Sequence, residues 1–394
     1  MTCILVLNAG SSSIKFAAFR TCVDDALELL QQGQLDGIGS APRLQAHDAV
    51  GHGLVDRTLD IRAVPDVAAA EAVVNDWIAT HLGVAPDAVG HRVVHGGVDF
   101  RQPVRVDTAI LDRLAALSPL APLHQPFNLA PIRALLQRQP QLPQVACFDT
   151  AFHHGHAPEI DLYALPQSLI AAGVRRYGFH GLSYEYIASR LPGVAPALAR
   201  GRTVVAHLGN GASLCALQGG RSVDSTMGFS ALEGLVMGTR PGNLDPGVVL
   251  YLAQEQGLDA GQISHLLYHD CGLKGLSGLS GDMRELLASD TPLARLALDV
   301  FAHRVAQSVA AMAASMGGLD GIVFTAGIGE HAPGARAAIV QHLGLFGARL
   351  DAVANAGRTG VLDIAAPDSR IALRVVPTNE ERMIAQHTLR LLRN

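Results

Sequence analysis

The sequence predicts an α/β protein of two domains that share one duplicated plan. An apolar strand, a turn of small residues and a second strand occupy 4–19, and the same order of elements recurs at 203–217, about half a chain later. Between and after these hairpins, apolar runs typical of buried strands alternate with helical patterns. With 394 residues, of which 49% are hydrophobic and 16% charged, the chain is long enough for two hydrophobic cores.

The tip of the first hairpin is suited to bind a phosphate. Residues 8–13 read Asn-Ala-Gly-Ser-Ser-Ser, and the strand that leaves the tip carries Lys15. Small residues let backbone N–H groups and hydroxyls, such as those of Ser11 and Ser13, approach an anion closely, and Lys15 adds a point charge. The pattern differs from a Walker P-loop, because the sequence has no Gly-x-x-x-x-Gly-Lys-Ser/Thr. The alternative is a serine-rich hairpin with a solvated tip.

The second hairpin repeats this plan. Residues 203–208 form an apolar strand, 209–213 form a turn of small residues, and 214–217 continue as a strand. Two such hairpins predict a fold whose halves close on one nucleotide, with one tip near each end of the triphosphate. Because no low-complexity linker separates the halves, we expect them to share a wide cleft.

The remaining elements alternate along the chain. Asp66 is an N-cap residue ahead of a helix whose apolar positions recur every three or four residues, and Gly83 closes that helix. A buried-type strand at 144–149 places Asp149 at its C-terminal end, where open α/β sheets bind ligands. Residues 327–331 are expected to link a strand to a helix. The other predicted strands are 34–38, 43–47, 90–97, 321–326 and 372–376, and the other predicted helices are 108–117, 129–138, 247–256, 262–268, 292–316, 335–343 and the C-terminal segment.

Composition and charge argue against several classes of partner. The net charge of −5, without a long basic run, disfavours nucleic acid, whose binding needs a clustered positive surface. No basic segment precedes the apolar run 4–7, which disfavours a signal peptide, and the weakly polar stretch 305–316 is too short to span a bilayer. We therefore expect a cytoplasmic protein with no membrane partner. Its scattered cysteines are expected to be reduced core thiols: Cys3, Cys22, Cys147, Cys215 and Cys271.

Eight motifs occur in one order along almost the whole chain. They are Asn-Ala-Gly-Ser-Ser-Ser-Ile-Lys at 8–15, Gly-His-Arg-Val-Val-His-Gly-Gly at 90–97, Phe-Asp-Thr-Ala-Phe-His at 148–153, Tyr-Gly-Phe-His-Gly at 177–181, His-Leu-Gly-Asn-Gly-Ala-Ser at 207–213, Gly-Thr-Arg-Pro-Gly-Asn-Leu-Asp-Pro at 238–246, Gly-Ile-Gly-Glu at 327–330 and Thr-Asn-Glu-Glu at 378–381. Together they resemble the acetate kinase family, which has the two-domain, actin-like ATPase (ribonuclease H-like) fold shared with sugar kinases and heat-shock chaperones.

The resemblance implies an activity and an assembly. The activity is reversible, Mg²⁺-dependent phosphoryl transfer from ATP to acetate, which gives acetyl phosphate and ADP, and the assembly is a homodimer. The implied domains are 1–149, completed by the C-terminal helix 381–394, and 150–380. A propionate or butyrate kinase of the same family is the first alternative, and a catalytically idle nucleotide-binding module of the same superfold is the second.

Phosphoryl transfer to a carboxylate requires cations that align two anions and neutralise charge on the transferring group. Arg92 and Arg240 lie in glycine-rich segments, and their planar guanidinium groups fit carboxylate or phosphoryl oxygens. By resemblance, they hold the acyl substrate and stabilise the transition state, and His180 adds a hydrogen bond to the transferring group. The alternative for an arbitrary arginine is a surface salt bridge, and for a lone histidine a structural role.

Three further side chains are candidates for the metal and its surroundings. Asn8 and Glu380 carry oxygen atoms suited to Mg²⁺, with Mn²⁺ as a possible substitute, although Glu380 is equally suited to the start of a helix. The resemblance makes Asp149 the catalytic acid or base. Acetate is already ionised at pH 7, so no proton has to be removed. We therefore expect Asp149 to order Mg²⁺, its waters or an arginine.

The nucleotide is assigned by resemblance to segments in both halves. Besides Ser13 and Lys15, the matching positions are His207, Leu208, Gly209, Asn210 and Gly211 in the second turn, Asp282, Met283 and Arg284, and Gly327, Ile328, Gly329, Glu330 and His331. The last group also fits Gly-x-Gly-x-x-Ala, a weak dinucleotide-binding pattern. The two hairpins disfavour that reading, because a dinucleotide-binding fold does not need them.

The acyl pocket departs from the family pattern. Val94, Leu123, Phe179 and Ala231 match positions that form the small apolar pocket for the methyl group, but Ala231 stands where proline is usual. Residues 123–126 read Leu-His-Gln-Pro instead of Leu-His-Asn-Pro. An alanine leaves slightly more room, and one buried methylene is worth roughly 0.8 kcal/mol, so propionate is also expected to be a substrate.

The sequence His-His-Gly-His at 153–156 invites comparison with a zinc site. The family pattern includes His153 but not His156. Because no Cys or acidic residue follows at ligand spacing, a solvated polar loop is the favoured interpretation and a zinc site the alternative.

Overall fold

The computed structural model describes residues 2–10, 12–22, 26–357 and 360–393, which form two compact units. The first unit comprises Met1–Phe152 and Asn379–Asn394, and the second comprises His153–Thr378. Each unit contains a β-sheet flanked by helices, as the α/β prediction requires. Ser11 of the predicted hairpin tip and Asn394 of the predicted last helix lie outside the described residues.

The first unit is built around one mixed sheet. Its strands are β1 (Cys3–Ala9), β2 (Ser13–Thr21), β3 (Leu27–Asp36), β4 (Arg43–Asp48), β5 (Gly53–Thr58), β6 (Ala88–Val93), β7 (Val104–Arg105) and β8 (Gln144–Phe148), in the order β5-β4-β3-β2-β1-β6-β8-β7. Its helices are α1 (Val67–His81), α2 (Thr108–Ala115), α3 (Gln125–Arg138) and the C-terminal helix (Glu380–Arg393). The hairpin β1–β2 is antiparallel, whereas β1, β6 and β8 run parallel.

Local sequence signals explain how the helices of this unit are fixed. The Asp66 side chain accepts a hydrogen bond from the backbone N–H of Ala69, which caps α1, and Trp77 of α1 packs on Phe16 in the core. The C-terminal helix lies so close to β6 that a Cβ atom on Gly90 would be 2.6 Å from Cγ2 of Ile384. Glycine at this position therefore lets the last helix complete the unit.

The second unit repeats the plan of the first. Its strands are β9 (Arg202–Leu208), β10 (Ala212–Gln218), β11 (Arg221–Ser225), β12 (Gly321–Thr325), β13 (Leu362–Asp363) and β14 (Ala372–Val375), in the order β11-β10-β9-β12-β14-β13. As in the first unit, an antiparallel hairpin, β9–β10, continues into parallel strands, β9, β12 and β14. The duplication predicted from the two hairpins is thus present in the strand order.

Helices surround this second sheet. They are α4 (Pro158–Asp161), α5 (Gln167–Ala171), α6 (Gly181–Val194), α7 (Pro196–Arg200), α8 (Pro246–Gln254), α9 (Ala260–His265), α10 (Gly272–Ser277), α11 (Met283–Ala288), α12 (Pro292–Ser315), α13 (Ala326–His331), α14 (Pro333–Gln341) and α15 (Ala352–Asn355). The long apolar helix α12 buries one face, including Phe301 and Val305, whereas Leu293 near its start is exposed. Among the described residues, no helix combines the length and apolar character needed to cross a membrane.

Three sequence expectations need correction. Residues 327–331 are not a simple link but belong to α13, because Ala326 adopts a left-handed conformation with φ of 64° that starts a helix directly after β12. The helix expected at 262–268 ends at His265 and continues as one π-helical turn, Leu266–Asp270. The cysteines are not all core thiols, because Cys22 lies beyond the end of β2 and is exposed, and Cys271 is half-buried.

Protonation of a buried histidine is predicted to make stability depend on pH. Burial lowers the pKa of His91 to about 4, although its hydrogen bond to Gln144 opposes the shift, and unfolding returns the pKa to near 6.5. The unfolded chain therefore binds one more proton between these values, so His91 lowers the unfolding free energy as pH falls from 6.5, by roughly 1 kcal/mol per pH unit. Urea titrations at pH 7 and pH 5 should show a smaller loss in His91→Gln. Equal losses in both proteins would contradict this account.

Candidate active site

In the first unit, four predicted site residues lie at one edge of the sheet. Asn8 is near the end of β1, Arg92 is near the end of β6, and Asp149 directly follows β8. Because these strands are parallel neighbours, their carboxyl ends meet at the same edge. Glu380, the first residue of the C-terminal helix, also lies there, with its Oε2 atom 3.9 Å from Nε of Arg92.

Arg92 and Asp149 form a two-pronged ion pair. Nε of Arg92 donates to Oδ1 of Asp149 at 2.9 Å, and Nη2 donates to Oδ2 at 2.5 Å. The third nitrogen, Nη1, donates to Oδ1 of Asn8 at 3.3 Å. Burial alone would lower the pKa of Arg92, but the carboxylates of Asp149 and Glu380 outweigh it and raise the pKa. Arg92 is therefore a fixed cation that its neighbours hold in one orientation.

Glu380 has an unusual protonation equilibrium for a carboxylate. Burial raises its pKa to about 7, Arg92 opposes this rise, and the nearby acids Asp149 and Glu381 add to it. A second cation beside Glu380 would favour its charged form.

The amide oxygen of Asn8 and the carboxylate of Glu380 are donors of the type that Mg²⁺ prefers, so the residues present fit this ion. Among the described residues, His, Cys, Asp and Glu do not gather in any group of three or more suited to a metal, but Mg²⁺ needs only one or two protein ligands.

The hairpin tip lies beside this edge. Asn8 and Lys15 are paired across β1 and β2, and the N–H of Gly10 donates to the carbonyl of Ser13 at 2.8 Å. Ser13 is half-buried and Lys15 is exposed. Lys15 also lines a cavity of about 320 Å³ whose wall includes Glu381.

Val94 and Leu123, the predicted acyl-pocket residues of this unit, differ in burial. Val94 is buried, and its N–H donates to the side chain of Asn128 at 2.9 Å, whereas Leu123 is half-buried. The unusual Gln125 is fully buried: it accepts from the N–H of His95 at 3.2 Å and donates to the carbonyl of His95 at 3.0 Å. Gln125 thus fixes the backbone that follows Val94.

In the second unit, His180 occupies a sharp turn ahead of α6. Its φ of 57° is left-handed, a conformation that is uncommon outside glycine and that occurs at functional sites. Its Nδ1 atom lies 2.8 Å from Oγ of Ser213, which also contacts the hydroxyl of Tyr184 at 2.5 Å. Its ring stacks on His207 with 4.2 Å between the ring centroids. The preceding residue, Phe179, is buried.

Arg240 converges with His180 on the turn of small residues. A Cβ atom built on Gly211 would lie 2.8 Å from Nη2 of Arg240 and 3.4 Å from Nε2 of His180. Nη1 of Arg240 donates to the carbonyl of half-buried Ala231 at 2.8 Å. Burial lowers the pKa of Arg240, and among the described residues no carboxylate pairs with it, in contrast to Arg92. Such a cation is suited to bind an anion from outside the protein.

Hydrogen bonds hold the predicted nucleotide-binding turn in place. Nδ1 of His207 lies 2.8 Å from Oγ of Ser183, which in turn lies 2.8 Å from Oγ1 of Thr378. The N–H of Gly209 donates to the carbonyl of Gly211, and the N–H of Gly238 donates to the carbonyl of Asn210. Leu208 is buried, whereas Asn210 is exposed at the tip. Ser183, Tyr184 and Ser213 were not among the predicted site residues, although Ser213 belongs to the motif at 207–213.

The predicted nucleotide-binding residues of α13 differ in their exposure to solvent. Gly327 and His331 are exposed, Ile328 is half-buried and Gly329 is buried. Oε1 of Glu330 accepts from the backbone N–H groups of Ala326 at 2.8 Å and of Thr378 at 3.1 Å. The carboxylate of Glu330 is therefore turned inward and stabilises the turn.

Asp282, Met283 and Arg284 also have different environments. Asp282 caps the short helix α11 and pairs with the exposed guanidinium of Arg284, with 2.5 Å between Oδ2 and Nη2. The side chain of Met283 is buried in the core. Of these three residues, only Asp282 and Arg284 have side chains at the surface.

The His-His-Gly-His segment is not the solvated loop that the sequence predicts. His153 is buried and the side chain of His156 is only 4% exposed. Both rings contact Oγ of Ser222 at 2.8 Å. These buried hydrogen bonds explain the clustering of histidines and replace the expectation of a polar, solvent-facing loop.

The fold and site can be compared with those of known proteins. A model of the acetokinase family matches residues 3–386. The chain is 55% identical over 392 residues to an acetate kinase from Nitrobacter hamburgensis, covering 100% of this chain and 96% of the relative. It is 54% identical over 392 residues to an acetate kinase from Rhizobium meliloti, covering 100% and 99%.

Two solved structures share the actin-like ATPase fold of this chain over their full length. The acetate kinase of Porphyromonas gingivalis superposes with a TM-score of 0.87 at 35% identity, covering 100% of both chains. A propionate kinase from Francisella tularensis superposes with a TM-score of 0.90 at 36% identity, covering 99% of this chain and 100% of the other. Motifs, duplicated strand order and full-length similarity agree, and the chain belongs to the acetokinase family.

Proposed function

We propose that this chain is an acetate kinase that reversibly transfers the terminal phosphoryl group of ATP to acetate. The observation that carries the proposal is Arg240, a half-buried guanidinium without a carboxylate partner among the described residues, beside Nε2 of His180 at a turn of small residues. A half-buried cation without a carboxylate partner, next to a hydrogen-bond donor, is suited to stabilise charge that develops on a transferring phosphoryl group. The full-length relatives named acetate kinase support the same activity.

The reaction requires no proton transfer from the protein. A carboxylate oxygen of acetate attacks the γ-phosphorus, the bond between that phosphorus and the β–γ bridging oxygen breaks, and ADP leaves with the electron pair. Acetate is already an anion at pH 7. We propose that Arg92 binds and orients the acetate carboxylate, while Arg240 and His180 hold the phosphoryl oxygens. Asp149 then serves to fix Arg92 through the two hydrogen bonds at 2.9 and 2.5 Å.

We propose Asn8 and Glu380 as the residues that hold Mg²⁺, or Mn²⁺ in its place. The ion supplies charge neutralisation on the phosphate oxygens when it is bound. The raised pKa of Glu380 supports this role, because burial beside other acids makes a bound cation favourable there. Lys15 and Ser13 in the first unit are proposed phosphate contacts, and the turn 207–211, Asp282, Arg284 and the backbone of α13 are proposed to bind the remainder of ATP.

Assembly and compartment are further parts of the proposal. Helix α8 has no buried residue among those described, yet it exposes Val248, Leu250 and Tyr251, with Leu244 just before it. Such an apolar surface supports a homodimer that covers it. We propose that the domains are 1–149 with 381–394, and 150–380, and that the protein works in the cytoplasm without a nucleic acid or membrane partner.

A propionate kinase is the second candidate. The observation that favours it is Ala231 in place of the proline usual in the family, and the similarity to a propionate kinase of known structure is consistent with it. Comparing acetate, propionate and butyrate in one assay decides between the acids. Burial of one more methylene is worth roughly 0.8 kcal/mol, so a pocket with room for propionate should use it with an efficiency near that for acetate. An efficiency for propionate more than about a hundredfold below that for acetate would contradict the roomier pocket.

Replacement of Arg240 by alanine should abolish most of the transfer. Hydroxylamine trapping of acyl phosphate from acetate and Mg·ATP should show product with the wild type and a loss of roughly 10²-fold or more in Arg240→Ala. Arg295→Ala is the matched control, because Arg295 forms an exposed pair with Asp290 and should retain full activity. If the wild type binds ATP but forms no product from any of the three acids, the chain is an idle nucleotide-binding module instead.

Asp149→Asn is expected to lose turnover at every pH. An asparagine cannot accept from both Nε and Nη2 of Arg92, so the guanidinium loses its fixed orientation, and no proton abstraction is lost. Turnover measured from pH 6 to 9 should therefore stay low throughout, while Asp99→Asn, which alters an exposed pair with Arg113, should behave as wild type. Recovery of Asp149→Asn at high pH would refute the orienting role.

A further inference from the structure

The buried histidines of the second unit form a connected network. Nε2 of His153 lies 2.9 Å from the carbonyl oxygen of Phe179, and Nδ1 lies 2.8 Å from Oγ of Ser222. Nε2 of His156 lies 2.8 Å from the same Oγ, and Nδ1 lies 3.2 Å from Oδ1 of Asp161. Ser222 thus bridges two imidazole rings, and each ring has a further partner on its other side.

The carbonyl of Phe179 and the carboxylate of Asp161 determine which ring nitrogens of the two histidines carry a hydrogen. A carbonyl oxygen accepts only, so Nε2 of His153 carries a hydrogen. Burial alone would raise the pKa of Asp161, but hydrogen bonds from His156 and Arg175 outweigh it and lower the pKa. Asp161 is therefore an ionised acceptor, and Nδ1 of His156 also carries a hydrogen.

The bridging hydroxyl then requires one more proton in the network. Ser222 has a single hydrogen, which it donates to only one of the two rings. The other ring must donate to Ser222, so one of the two histidines carries hydrogens on both nitrogens. Burial, reinforced by the nearby His156, lowers the pKa of His153 to about 3, so His153 is the neutral ring that accepts from Ser222. The second hydrogen is therefore assigned to His156, whose Nδ1 faces the carboxylate of Asp161 at 3.2 Å.

The surrounding groups are compatible with a buried positive charge on His156. Asp161 faces His156 through Oδ1 and pairs with Arg175 through its other oxygen. Sγ of Cys215 lies 3.2 Å from Oγ of Ser222, and burial raises the pKa of this thiol to about 12, so it keeps its one hydrogen, for which the carbonyl oxygen of Ala216 at 3.7 Å is also an acceptor.

The network ends at the turn that carries His180. A Cβ atom on Gly178, whose φ is 73°, would lie 2.6 Å from Cγ of His153, so the His153 ring packs directly on this turn. The next carbonyl, that of Phe179, accepts from His153, and His180 then takes its left-handed φ of 57°. A left-handed non-glycine residue costs free energy and persists only where its surroundings hold it.

We infer that His156 is a positioning residue for phosphoryl transfer: as an imidazolium it fixes Ser222 and His153, and through the carbonyl of Phe179 it holds His180 in place. The inference rests on the proposed role of His180. Glutamine at 156 cannot replace the imidazolium, because its amide donates from one end only, whereas both Ser222 and Asp161 require a donor.

The first test is ¹⁵N NMR of histidine-labelled protein at pH 7. We expect one buried imidazolium signal that disappears in His156→Gln and persists in the control His52→Gln, which changes an exposed histidine of the first unit. The ring signals of His180 should shift in His156→Gln and not in the control. A neutral His156, or unchanged His180 signals in His156→Gln, would overturn the inference, and neither reading depends on whether the wild type makes acetyl phosphate.

The second test is kinetic. In His156→Gln we expect kcat to fall roughly three- to thirty-fold, with KM for ATP and acetate nearly unchanged, because a misplaced His180 affects the transition state. Ser222→Ala should give a similar fall, and the double variant should be no worse than either single one, because both changes break the same connection. A kcat in both single variants equal to that of the wild type would overturn the positioning role. A wild type without activity would instead contradict the proposed function.

Discussion

The ion pair between Arg92 and Asp149 is the interaction on which the candidate site of the first unit depends. Removing a guanidinium from water costs several kcal/mol unless it is paired with good geometry. Here parallel strands β6 and β8 supply the two partners at adjacent carboxyl ends, and both hydrogen bonds are formed. The C-terminal helix then brings Glu380 to the same edge, because Gly90 lets it approach β6 closely. The charge balance of this edge, with Asp149 and Glu380 beside one arginine, suits a further cation.

The second unit uses hydroxyl groups where the first uses an ion pair. His180 and His207 stack, and each ring contacts a serine hydroxyl, Ser213 for His180 and Ser183 for His207. The hydroxyls of Tyr184 and Thr378 in turn contact these two serines. Arg240 donates to a backbone carbonyl and is not neutralised by an acid among the described residues. The same strand plan therefore supports two different electrostatic environments. In the first unit the arginine is paired with carboxylates, whereas in the second the arginine donates to a backbone carbonyl.

Much of this organisation could be predicted from the sequence, and the failures have physical causes. The two hairpins and the capped helix after Asp66 follow from local periodicity and capping, so they were predictable. Helix α13 was not, because it begins at the left-handed Ala326, and the Glu330 carboxylate that accepts from Ala326 is also held by the N–H of Thr378, 48 residues away. His156 was assigned to a solvated loop because its partner Ser222 is 66 residues away. Motifs identified the candidate site residues, but not the serine and tyrosine hydroxyls that hold them.

Direct transfer of a phosphoryl group between ATP and acetate is the reaction that the fold and the candidate site support. The most direct measurement is ³¹P NMR of the wild-type protein with acetyl phosphate and Mg·ADP, which follows the reverse reaction without a coupling enzyme. The account predicts loss of the acetyl phosphate signal with matching growth of the γ-phosphate signal of ATP. Release of inorganic phosphate without ATP formation, or unchanged acetyl phosphate, would contradict it.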